Sequence, residues 1–76
     1  MEDFRMALIA IANDPNFGKT VESYDKLAGA GLLAPLDNPP GDGGVGDLNA
    51  VLMRMKGLTW IAMTENAQRA FDILNA

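Results

Sequence analysis

Between residues 2 and 13 the apolar positions Phe4, Ala7, Leu8, Ile11 and Ala12 recur at spacings of three and four, which puts them on one face of a helix. Asp14-Pro15 ends that helix, because the residue before a proline is pushed out of the α region and proline has no N–H for the next backbone bond. Asn13 to Gly18 then reads as a turn, and Thr20 can cap a second helix through its hydroxyl. Val21, Tyr24, Leu27 and Ala28 form the inner face of this second helix, which is expected to stop at Gly29 or Gly31, where glycine tolerates a left-handed cap.

From Leu32 the pattern loosens. Leu32 to Asp37 is followed by Asn-Pro-Pro-Gly-Asp-Gly-Gly-Val-Gly, so residues 38–47 are expected to form a long flexible Gly/Pro loop. Residues 48–58 fit two periods: Leu48, Val51, Leu52 and Met55 have helical spacing, whereas Val51, Met53 and Met55 alternate with Leu52, Arg54 and Lys56 as in a strand. From Trp60 to Ala76 the residues Trp60, Met63, Ala67, Phe71 and Leu74 predict a last helix capped by Thr59 or Thr64.

Composition narrows the function. Seventy-six residues, 49% of them hydrophobic, make a single domain (1–76) whose one core leaves little stability to spare, so a partner surface or a homo-oligomer is expected. With no Cys and no His, the chain has no thiol nucleophile, no zinc-thiolate set and no imidazole base or ligand. No catalytic residue, metal site or cofactor is therefore expected, and the protein is read as not an enzyme. Gly18-Lys19-Thr20 has the tail of a phosphate-binding loop, but Asn13 stands where its first glycine belongs and a helix precedes it. Asp37, Asp42 and Asp47 do not follow the spacing of a calcium loop. A net charge of -4 repels phosphate backbones and anionic lipid. The acidic start and the short apolar stretch from Met6 to Ala12 give neither a basic leader nor a membrane span, so a cytoplasmic location is expected.

Residues 20 to 33, Thr-Val-Glu-Ser-Tyr-Asp-Lys-Leu-Ala-Gly-Ala-Gly-Leu-Leu, resemble the recognition helix and exit of winged-helix regulators of the MarR-like and PadR-like kind, written T-V-x-x-x-x-x-L followed by L-x-x-x-G-L-[LIV]. Leu58-Thr59-Trp60-Ile61-Ala62 is similar to the L-T-x-x-G in which the last wing strand meets a threonine-capped helix, with Met63 to Ala67 as a second register. Over residues 20–70 the resemblance implies an α+β, mostly α fold: a reduced winged helix with one helix fewer before Thr20, three helices in all, and a two-stranded hairpin. Leu32–Asp37 and Leu48–Leu58 would pair as its strands, with residues 38–47 as the wing. The alternative, read from the helical spacing alone, is an all-α small bundle with residues 47–56 helical.

Two functions follow. The first is a small acidic, non-enzymatic regulatory or adaptor module acting through protein–protein contact, with another protein or itself. Its candidate surface is Tyr24, Trp60, Met53 and Met55, because aromatic anchors and adaptable thioethers dominate such interfaces. Core filling competes for the same side chains, since a small domain draws its large apolar residues inward. The second is a dimeric winged-helix DNA-binding regulator in which Lys19, Ser23, Lys26, Arg54 and Lys56 supply the contacts. Glu22 and Asp25 on the same helix, and the overall charge, disfavour nucleic acid.

Overall fold

The computed structural model describes residues 3–37 and 48–76, and the proposed loop or wing at 38–47 lies outside them. Four helices form among the described residues: α1 (Asp3–Ala12), α2 (Gly18–Gly29), α3 (Leu48–Ala62) and α4 (Ala67–Leu74). They contain no strand. The winged-helix architecture expected above is thus corrected: Leu32–Asp37 is irregular chain, and residues 48–58 lie within the helix α3. Leu, Met, Ala, Lys and Arg are strong helix formers, and here propensity outweighs the six-residue alternation from Val51 to Lys56. The chain is a small helical bundle.

The helix ends follow local chemistry. Asp14 Oδ2 accepts the Lys19 N–H at 2.9 Å, so Asp14, rather than Thr20, satisfies the start of α2. Thr20 is fully buried and donates its hydroxyl backwards to the Ile11 carbonyl at 2.8 Å, tying α2 to the end of α1. Between them Phe17 sits at φ 63, a costly left-handed conformation for an aromatic residue, held by Phe17 N–H to Asp14 O and Val21 N–H to Phe17 O, both 3.0 Å. At the other end of α2, Gly31 takes φ +84, with its N–H bonded to Ala28 O and the Leu32 N–H bonded to Leu27 O, both at 3.0 Å. This is a Schellman cap, in which glycine accepts the left-handed turn without a Cβ penalty.

The expected final helix from Trp60 to Ala76 is instead divided. α3 runs on to Ala62, and Thr64 makes the break: its hydroxyl donates to Ile61 O at 2.9 Å and accepts the Asn66 N–H at 3.2 Å. Thr59 lies within α3 and caps nothing. Arg5 closes the open carbonyls at the end of α3, donating to Ala62 O and to Thr64 O.

The core gathers Leu8 and Ala12 from α1, Tyr24 and Leu27 from α2, Leu33, then Leu58, Ile61 and Ala62 from α3 and Ala67 and Ala70 from α4. Four of these are alanines, which lets the short helices approach closely and leaves Phe4, Ile9, Phe71 and Leu74 to close the margins. Phe4 and Phe71 meet in a tilted pair with ring centroids 6.4 Å apart.

Candidate protein interaction surface

α3 is apolar on two opposite faces. Its inner face, Ala50, Val51, Arg54, Leu58, Ile61 and Ala62, is buried. The opposite face carries Leu48, Leu52 and Trp60, with Met53 on its edge and Met63 just past its C-terminal end, and all five are exposed. Trp60 is 60% exposed and Met63 73%. Leu52, Met55, Lys56, Thr59, Trp60 and Met63 line a shallow groove of about 590 Å³ along this face. Among the described residues Lys56 is the one charged side chain lining it. Among the described residues this outer face of α3 stays exposed, with Lys56 and Thr59 set among its apolar side chains. An exposed apolar strip of this kind, with a tryptophan toward its C-terminal end, is a candidate contact surface.

The inner face has one polar member. Arg54 is only 2% exposed; its Nε donates to Asp25 Oδ1 at 3.1 Å, its Nη1 donates to Ala50 O at 3.1 Å, and its guanidinium lies 5.7 Å from the Tyr24 ring centroid. Asp25 is half in solvent, at 51%. Among the described residues no buried side-chain nitrogen or oxygen lacks a hydrogen-bond partner.

Tyr24 is held at both ends of its side chain. The ring is buried beside Gly57 and Arg54, and the hydroxyl donates to Ala34 O, fixing the irregular chain after α2. Burial raises its pKa above the ordinary 10.0, with Arg54 opposing and Asp25 adding to the rise. The folded state therefore favours the neutral phenol. That stability is complete below pH 10.0 and is lost as pH climbs through the higher folded value. Denaturant unfolding above pH 10 is expected to show an alkaline fall in stability that Tyr24→Phe removes, at a cost near neutrality of about 1 kcal/mol for the lost hydroxyl bond. An equally steep alkaline fall in the Phe variant would contradict this role.

The candidate residues separate accordingly. Trp60 and Met53 are on the exposed face, Met55 is half-buried at the groove's edge, and Tyr24 belongs to the core. Of the candidate DNA contacts, Lys19 and Lys26 are exposed on α2 and Ser23 is half-buried there, whereas Arg54 points inward and Lys56 lies in the groove on α3. They do not form one basic face. Leu48 and Leu52, read above only for their helical spacing, are exposed. The two stripes could have been separated in the sequence: 51, 54, 58 and 61 recur at three and four residues, and so do 48, 52, 55, 59 and 63, about 120° away around the helix.

No protein-family model, curated protein or solved structure matches the chain. Among the described residues there is no group of three or more acidic, His or Cys side chains placed to hold a metal ion, and no helix is long and apolar enough to cross a membrane.

Proposed function

We propose that this chain is a non-enzymatic protein-interaction module, an adaptor or regulatory subunit, whose contact surface is the outer face of α3. The observation that carries this reading is the second apolar face of α3, with Trp60 at 60% exposure and Met63 at 73%. Aromatic and methionine side chains on a helix supply large contact area with adaptable shape. Nucleic acid fits less well: the net charge is -4, and Arg54 spends its guanidinium on Asp25, Ala50 and Tyr24 inside the fold.

A photo-crosslinking residue placed at Met63 is expected to give a defined covalent adduct with a protein in the native cell extract, and the same residue at the exposed Glu22 of α2 is not. Equal labelling from both positions, or none from Met63, would remove α3 as the contact surface. Trp60→Glu is expected to leave folding within about 0.5 kcal/mol of the parent, as an exposed substitution does, while the Met63 adduct is lost. Thermal melting of the dilute variant checks the first half. A collapse of the fold would place Trp60 in the core.

A further inference from the structure

We propose that the occupant of this face is a second copy of the same chain, its α3 lying antiparallel across the first about a two-fold axis. This rests on the reading of α3 as the contact surface and adds the identity of the partner.

The order of residues along the face supports self-pairing. Leu52, Lys56 and Trp60 are successive i+4 positions, so each turns about 40° further toward one edge of the helix, while Met55 lies toward the other edge. Two helices related by an antiparallel two-fold bring like edges together. With Leu52 level with Met63 of the second copy, Lys56 comes within one residue, about 1.5 Å along the axis, of the level of Trp60 of the second copy, and on the same edge. The apolar ends of the groove then cover each other. The single charge lining the groove meets the indole face of the other chain, twice by symmetry, with its stem over apolar surface and its ammonium at the wet rim. The two lysines come about 4.5 Å apart along the axis on the same rim, where water and salt screen their repulsion.

Two chains of net charge -4 repel each other over long range, so the association is expected to strengthen as salt rises. The area is sufficient. Trp60 at 60% exposure with its four partly exposed aliphatic and thioether neighbours offers on the order of 500 Å² per copy, about 1,000 Å² for the pair, at the lower limit of specific interfaces. A micromolar, reversible dimer is the corresponding strength.

Sedimentation equilibrium of the full chain from about 1 µM to about 1 mM, the range bracketing such an affinity, tests the association. The mass is expected to rise from 8.1 kDa toward twice that value, and Trp60→Glu or Met63→Lys to weaken the rise by at least about 30-fold. Because the chain has no cysteine, register is read by mixing Leu52→Cys with Met63→Cys under mild oxidation. The mixed disulfide is expected to exceed both symmetric ones. Predominance of the symmetric disulfides would overturn the antiparallel register, and an 8.1 kDa mass throughout would overturn self-association. In that last case a Met63 adduct to a different protein still supports α3 as a contact surface, whereas absence of any adduct removes both readings.

Discussion

Replacing Arg54 by alanine is expected to destabilise the fold by about 2–4 kcal/mol, the range for truncating a large buried side chain, and to lower the melting temperature by more than about 10 °C. Among the described residues Arg54 is the largest fully buried side chain, and the loss is chiefly one of packing. Its stem fills space between α2 and α3, while the ion pair ends on a carboxylate that is 51% exposed and therefore weak. Two companion variants separate these contributions. Arg54→Met keeps most of the volume without the charge and is expected to stay within about 1 kcal/mol of the parent, because an apolar isostere often replaces a buried cation without loss. Asp25→Asn is expected to cost about 1 kcal/mol or less. Urea unfolding at unchanged slope measures all three, and a Met variant as unstable as the Ala variant would assign the effect to charge instead.

Gly57→Ala should also be destabilising, against the direction set by helix propensity. Alanine in place of glycine within a helix ordinarily gains about 1 kcal/mol. Here the added Cβ would lie 3.0 Å from Tyr24 Cδ2 and closer still to Cε2. The ring has little freedom to retreat, since its hydroxyl is bound to Ala34 O and its face is packed beside Arg54. Overpacking of this kind costs about 1–3 kcal/mol, so a net loss of about 1–2 kcal/mol is expected. The effect depends on Tyr24 specifically: in a Tyr24→Leu background the same Gly57→Ala change is expected to become neutral or stabilising. Such a sign change in a double-mutant cycle identifies the contact, and its absence would refute the account of Gly57.

How far the fold could be read in advance follows from where periodicity was unambiguous. α1 has one apolar stripe and a proline beyond its end, and its expected limits of 2–13 differ from the observed Asp3–Ala12 by one residue at each end. Gly31 was legible as a C-cap because few other residues accept φ +84 cheaply. α3 was misread because it has two apolar faces. Interleaved, the two helical stripes produce a run in which Val51, Met53 and Met55 mimic the period of a strand. The division between α3 and α4 was hidden too, since Trp60, Met63 and Ala67 keep helical spacing across a break made by the side chain of Thr64.

The same ambiguity concealed the candidate surface. Trp60 and Met53 were named as candidates from residue type, whereas Leu48 and Leu52, which share their exposed face, were read only for their helical spacing. Tyr24 was equally plausible as an anchor until its hydroxyl was seen to reach Ala34 O. Arg54 was grouped with the exposed cations because sequence alone does not reveal that Asp25, on the neighbouring helix, stands where it can receive Nε.

Acrylamide quenching of Trp60, the only tryptophan, tests most directly the claim that α3 has an uncovered apolar face that association closes. In dilute protein of 8.1 kDa the indole is expected to be readily quenched, and quenching is expected to fall as the chain associates. An indole already shielded in the single chain would contradict it.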